Sequence, residues 1–253
     1  VSTIALKTLF IKEVRRFSKV WLQTVLSPLV TTSLYFLVFG VALGSRLREI
    51  SGVPYIQFVV PGLVMMTMVR DSFLNTSSSL FQSKINGTII DILVAPIGAF
   101  EMLVAYVAAA MLRAIIVGSL VYAVALWFTW FPLQNWAWAL FFALFVTATL
   151  ALLGMIAALW AEKFDHLAIF PNFVLLPLAF LGGVFYSIDL LPEPWHTISR
   201  LNPLLYMVNG LRFGFLGVAD VSPMASAVVV VASFLVLLGT TAMLLRRGYN
   251  LRS

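Results

Sequence analysis

Apolar residues in this chain run in long blocks rather than at the alternating or every-third spacing of half-buried elements. Blocks over residues 22–44, 55–79, 102–127, 138–160, 167–188 and 224–245 are separated by short polar or aromatic connections. Each reaches the roughly 18 residues that mark a membrane-spanning helix. The pattern predicts six transmembrane helices in an all-α membrane protein, a single domain over residues 1–253. Residues 3–20 read differently: Leu6, Leu9, Phe10, Val14 and Phe17 recur at helical spacing, while Lys12, Arg15, Arg16 and Lys19 fall largely on another face. Such an amphipathic segment, residues 1–21, is expected to lie in the interface of an anionic leaflet.

Interruptions in the blocks carry further information. The first holds Pro28 and the run Thr31, Thr32, Ser33, tolerable only where neighbours satisfy the backbone. The second carries Pro61, Gly62, then Arg70, Asp71 and the polar stretch 75–79, so its second half cannot face lipid. Residues 81–101 are only moderately apolar and are punctuated by Gly87, Pro96 and Gly98; a short amphipathic piece, 88–94, predicts a helix-turn between spans on the cytoplasmic side. Trp127, Trp130, Trp136 and Trp138 form an interfacial belt around the third connection. Pro171, Pro177 and Gly182–Gly183 break the fifth block. Residues 204–218 are apolar enough to enter the membrane yet only about three-quarters of the ~20 residues needed to cross it. A re-entrant hairpin within residues 189–220, outside the cell, is the expected solution.

Composition agrees with the pattern: 62% of residues are hydrophobic and 10% charged, with mean hydropathy +1.03, outside the soluble range. The net charge of +6 is concentrated at the chain ends beside apolar spans. That distribution indicates topology rather than nucleic-acid binding. With six spans, both termini, Lys84 and Lys163 lie in the cytoplasm, Arg46, Arg48, Arg200 and Arg212 lie outside, and Arg70 and Arg113 lie within spans. Residues 1–20 interleave bases with apolar residues and do not read as a cleavable signal peptide. The chain has no cysteine, and its two histidines, His166 and His196, stand at membrane edges. No histidine dyad or metal cluster can be assembled from them, and no GxxxxGK[ST] phosphate loop is present. The chain is therefore not expected to be an enzyme by itself, and ATP, if it drives the process, is bound by another subunit.

Charge inside the membrane is the first suspect for function, because an arginine at a helix centre costs about 2.5–3.5 kcal/mol on insertion scales. Arg70, Asp71 and Arg113 meet that description, with a structural polar network as the competing reading. Phe58, Met65, Met66 and Met68 on the second block are candidates for lining an apolar path, with ordinary packing as the alternative.

Residues 87–101, GTIIDILVAPIGAFE, resemble the cytoplasmic coupling segment of type-2 ABC exporter permeases. Residues 182–212, GGVFYSIDLLPEPWHTISRLNPLLYMVNGLR, are similar to that family's signature before the last span. The closest flavour is the compact bacterial group that includes nodulation-factor and daunorubicin-resistance exporter permeases. The resemblance implies a homodimer in the bacterial inner membrane with two copies of an ABC ATPase subunit carrying ATP and Mg. It implies ATPase-coupling roles for Gly87, Thr88, Ile89, Ile92, Leu93, Pro96 and Glu101, together with Lys12, Arg15 and Arg16 of the first helix. Pro192, Asn202, Pro203 and Arg212 match the re-entrant signature. Many relatives are basic just after the coupling proline, where this chain has Gly98 and Ala99. Residues 88–94 are expected to act as a peg whose apolar side, Ile89, Ile92 and Leu93, seats in the ATPase. The cargo expected is amphipathic or lipid-linked; a secondary transporter or channel is the alternative, weakened by the lack of an internal repeat.

Overall fold

The computed structural model describes residues 3–43 and 49–250; Arg46, Arg48 and Arg252, used above to argue orientation, lie outside the described residues. The helices are α1 (Thr3–Ser18), α2 (Trp21–Tyr35), α3 (Tyr55–Ile85), α4 (Ile89–Val94), α5 (Ala99–Phe128), α6 (Trp136–Trp160), α7 (Phe164–Ile169), α8 (Leu176–Leu181), α9 (Trp195–Arg200), α10 (Pro203–Leu216) and α11 (Pro223–Arg246). Wider π turns continue α2 through Phe36–Leu43 and join α7 to α8 through Phe170–Leu175. The second of these holds Pro171 at its second position, which has no N–H to offer an ordinary helical bond, and Pro177 repeats the omission in α8. A two-residue hairpin not anticipated from the sequence, β1 (Glu49–Ile50) with β2 (Val53–Pro54), precedes α3. Its turn is Ser51–Gly52, both at positive φ, as a tight hairpin requires.

Among the described residues, four helices are long and apolar enough to cross a membrane: α5, α6, Phe164–Leu181 and α11. The other two expected spans are of a different kind. α2 is apolar over the shorter stretch Thr24–Phe39. α3 has 31 residues, about 46 Å at 1.5 Å per residue, but its second half is polar. That half is inside protein, as its composition demands: Asp71, Ser72, Asn75, Thr76, Ser77 and Ser79 are all buried. Ser72 donates to the Thr147 carbonyl at 2.5 Å and Thr76 to the Ala151 carbonyl at 2.9 Å, so their hydroxyls bind α3 to α6. α3 is the central helix, packed chiefly on α6 and α5 and also on α10. Where it passes the start of the signature region, Gly62 permits close approach, since a Cβ there would stand 2.6 Å from the Val184 carbonyl oxygen.

Polar ties define the two ends of the bundle. At one end the Lys84 ammonium donates to the carbonyls of Ala158, Leu159 and Ala161, each at 3.2 Å. These are the acceptors left open at the end of α6. Asn250 adds a bond to Leu159 O at 2.7 Å, so the chain beyond α11 shares that end. At the other end the Gln134 and Asn135 amides donate to Phe215 O and Gly214 O. Asn202, the N-cap of α10, donates to Leu178 O at 2.6 Å. α10 rests on α6 through Gly210 and Gly214, where a Cβ would strike the Phe142 ring and the Ala139 backbone; small residues four apart are the usual means of such approach between apolar helices.

Candidate functional site

Three polar constructions stand out on this frame. The first joins α1, α3 and α5. Arg113 is held bidentately by Asp71, Nε to Oδ2 and Nη2 to Oδ1, both at 2.9 Å, and its Nη1 reaches Asn75 Oδ1 at 3.2 Å. Arg16 reaches the same Asn75 from the other side, 2.7 Å to Oδ1 and 3.1 Å to the carbonyl. Its Nε meets Glu13 Oε2 at 3.0 Å, and that oxygen also accepts from Ser79 at 2.6 Å. Burial makes an isolated charge expensive, and fork-shaped pairing with a carboxylate is the arrangement that offsets it. The sequence-predicted suspects Asp71 and Arg113 thus come together. Glu13 and Asn75 were not predicted, although Glu13 is the one acid in a basic helix, three residues before Arg16.

The expected apolar face of α1 is turned inward at Leu9, with Leu6, Phe10, Val14 and Phe17 half-buried, and the one departure on the basic face is Arg16. The buried stripe of the helix runs through Leu9 and Glu13 toward Arg16, which is partly buried and turned into the bundle. Arg16 is engaged within the chain by Glu13 and Asn75; Arg15 remains exposed, and Lys12 pairs with Glu13 at 3.4 Å.

Beside the network, α2 and α3 enclose a groove of about 510 Å³, lined by Arg16, Arg70, Asp71 and Arg113 and by Thr24, Ser27 and Thr31 along one face of α2. Leu63 and Met66 supply apolar wall. Of the proposed path residues, Arg70, Asp71 and Arg113 line this groove. Phe58 and Met65 do not: both are fully buried, Phe58 beneath the Arg212 guanidinium at 3.8 Å and Met65 in the core. Met66, also among the proposed path residues, does line the groove, and Met68 is buried in the core.

The second construction closes the opposite end. Arg212, counted above as an external loop base, is completely buried. It donates to the Gly183 carbonyl and stands 3.5 Å from Asp220. Asp220 in turn accepts from Ser187 Oγ at 3.0 Å and the Ile188 amide at 3.2 Å. Asn209 Oδ1 accepts from the amides of Asp220 and Val221 at 2.7 and 3.1 Å, and its amide donates to Val221 O and Ser226. Of the signature residues, Arg212 belongs to this lock and Asn202 caps α10 and ties it to Leu178 O, whereas Pro203, in the first turn of α10, and Pro192 are exposed. Asp220 and Ser187 were missed, because their role depends on a turn that brings them back over Arg212.

The third construction is α4. Gly87, at φ +72°, turns the chain out of α3, and Glu101 sits in the first turn of α5, where helix N-termini favour anions. Ile89 and Ile92 pack into the chain's own core, and Leu93 is half-buried against it. The predicted docking side therefore faces inward. Ile90 (57% exposed) and Val94 (81%) face outward instead, beside exposed Thr88 and Pro96.

Among the described residues no cluster of His, Asp or Glu suited to a metal ion occurs. The family model described as ABC-2 type transporter matches residues 4–216. The inner membrane transport permease YadH of Escherichia coli K12 is 39% identical over 251 residues, 99% of this chain and 98% of that protein. Nodulation protein J of Rhizobium leguminosarum bv. viciae is 26% identical over 245 residues, 91% and 90% of the two chains. Nodulation protein J of Rhizobium meliloti is 24% identical over 202 residues, 79% and 77%.

Proposed function

The chain belongs to the ABC-2 type transporter permease family, and from that premise we propose that it is the transmembrane subunit of an exporter powered by a separate ATPase. The working unit is a homodimer in the inner membrane with two ATPase subunits, which hold the ATP and Mg. Its cargo is an amphipathic or lipid-linked molecule. Six helices cross the membrane, α2 and α3 among them, with both termini cytoplasmic. Residues 189–220 form the external re-entrant region, a reading supported by the ties that bring both ends of α10 to one end of the bundle.

The observation that carries this reading is α4. A six-residue helix is too short to be stable alone, and here it is pinned through Ile89 and Ile92 while Ile90 and Val94 are left bare. An apolar pair fixed on a rigid peg, at the same end as the basic helix α1, suits a groove on a partner protein. Relative to the sequence reading, the anchors move from Ile89, Ile92 and Leu93 to Ile90 and Val94.

Copurification from native membranes tests the proposal. Tagged permease is expected to bring with it a subunit bearing a phosphate-binding loop, and the double substitution Ile90→Asp with Val94→Asp is expected to release that subunit at an unchanged permease level. Ile92→Asp, by contrast, is expected to lower the permease level itself. Undiminished association of the double variant would overturn the role of α4, and transport by the isolated chain without nucleotide would overturn the exporter reading.

A further inference from the structure

We propose that the groove between α2 and α3 is a binding site for an amphiphile with an anionic head group, and that Arg70 is the residue that holds the head. The inference rests on the permease reading for the depth of the groove in the bilayer and adds the chemical class of molecule bound there.

Arg70 is the midpoint of Tyr55–Ile85, about 22 Å from either end at 1.5 Å per residue, and a charge inside a spanning helix is costly unless something compensates it. The other arginines of the groove are satisfied internally: Arg113 by Asp71 and Asn75, Arg16 by Glu13 and Asn75. Arg70 is exposed to the groove and makes neither a hydrogen bond nor an ion pair among the described residues. The groove walls hold three guanidinium groups and one carboxylate, Asp71, which Arg113 occupies with both forks. Of the three guanidinium groups, that of Arg70 is the one left without a paired carboxylate among the described residues, and an anion is what that place accepts.

A second copy packed through its other long apolar helices brings no such anion to the middle of the bundle. Outside α3, the helices α2, α6, α10 and α11 contain no Asp or Glu, and the acids of α5 and of Phe164–Leu181, Glu101 and Asp165, stand in their first turns. The remaining features of the groove fit the rest of an amphiphile. Ser27 and Thr31 offer hydroxyls to head-group oxygens. Met66 and Arg70 also form the wall of a smaller cleft of about 80 Å³ against Leu175, Leu176 and Ala179. That cleft gives the first methylenes of an attached chain an apolar bed beside the charge.

The test uses the full-length permease in an uncharged detergent and measures, by native mass spectrometry, the binding of oleoyl lysophosphatidate and of uncharged monooleoylglycerol. A charge-assisted contact of this kind predicts that Arg70→Gln raises the Kd for lysophosphatidate about tenfold. The Kd for monooleoylglycerol is expected to stay where it was. Arg70→Lys is expected to lose less, and Arg200→Gln, at the far end of the molecule, nothing. Ser27→Glu, which brings a carboxylate into the groove and leaves Arg70 in place, is expected to expel lysophosphatidate, and it serves where Arg70→Gln fails to accumulate. Protein extracted without added lipid separates two sources of the anion. Phosphatidylglycerol carried by the wild type and lost from Arg70→Gln identifies a resident lipid, whereas its absence from both, with lysophosphatidate still bound through Arg70, leaves the place to cargo. Equal Kd values for wild type, Arg70→Gln and Ser27→Glu, or equal losses for the charged and uncharged probes, would overturn the proposal. None of these measurements involves the ATPase, so failure of copurification leaves them standing, and failure here leaves copurification standing.

Discussion

The arginines of two regions of this molecule, one at an end of the bundle and one midway along α3, are treated in opposite ways. Arg212 is sealed between α10, α3 and the turn at Gly183, with an aromatic ring below it and Asp220 beside it. Arg113 and Arg70 stand along a groove wide enough for water and small molecules, one fully paired and one not. A sealed charge has one geometry available and works as a lock. A charge on an open wall keeps part of its hydration, tolerates rearrangement and is available to a ligand. The same residue type thus holds the 182–220 region in place at one end of the bundle and lines an open groove midway along α3.

The largest effect separating these regions is expected from Asp220→Ala. Removing one partner of a buried pair leaves Arg212 uncompensated, at a cost of about 3–5 kcal/mol. The bonds to Ser187 and Ile188 are lost with it. Accumulation in the membrane and the thermal unfolding midpoint in detergent are the measurements, and an unchanged midpoint would show that the lock does not hold the fold.

Asp71→Ala is expected to cost less, about 1–3 kcal/mol, because Arg113 keeps its bond to Asn75 and borders the groove. The protein is expected to accumulate while its unfolding midpoint falls by less than in Asp220→Ala. A loss as large as that of Asp220→Ala would erase the distinction between sealed and open regions.

Smallest is Lys84→Met, which removes a charge from the end of α6, an interaction of about 0.3–1 kcal/mol at a helix terminus. Asn250 still covers Leu159 O. Faster exchange of amides near residues 158–161, with little change in overall stability, is the expected result. Global destabilisation would place this end of the bundle in the sealed class instead.

The helices themselves were legible because their information is one-dimensional. α5 (Ala99–Phe128), α6 (Trp136–Trp160) and α11 (Pro223–Arg246) fall within three residues of the blocks read from apolar run length, since run length against bilayer thickness is a property of consecutive residues. The fifth block was read too far, to residue 188; the helix ends at Leu181, where Gly182 and Gly183 release it. The polar half of α3 was correctly placed inside protein because lipid offers its hydroxyls nothing. Facing was harder. In residues 88–94 the apolar side was taken as the docking side, but burial on the chain's own core is the commoner use of such a face, and the contacts of Ile89 and Ile92 show it.

What the sequence by itself determined is therefore the class of molecule: its solvent, its long helices, the polar and basic positions that cannot face lipid, and the two segments through which it resembles exporter permeases. Tertiary structure alone decided which charges meet. Glu13 and Ser79 are 66 positions apart, and Arg16 and Asn75 are 59 apart. Nothing in local spacing announces such pairs, because in the bilayer a polar group must find a partner wherever packing brings one. That requirement tells which residues need partners; only the packed helices tell which partner each receives, and that Arg70 is left with none among the described residues.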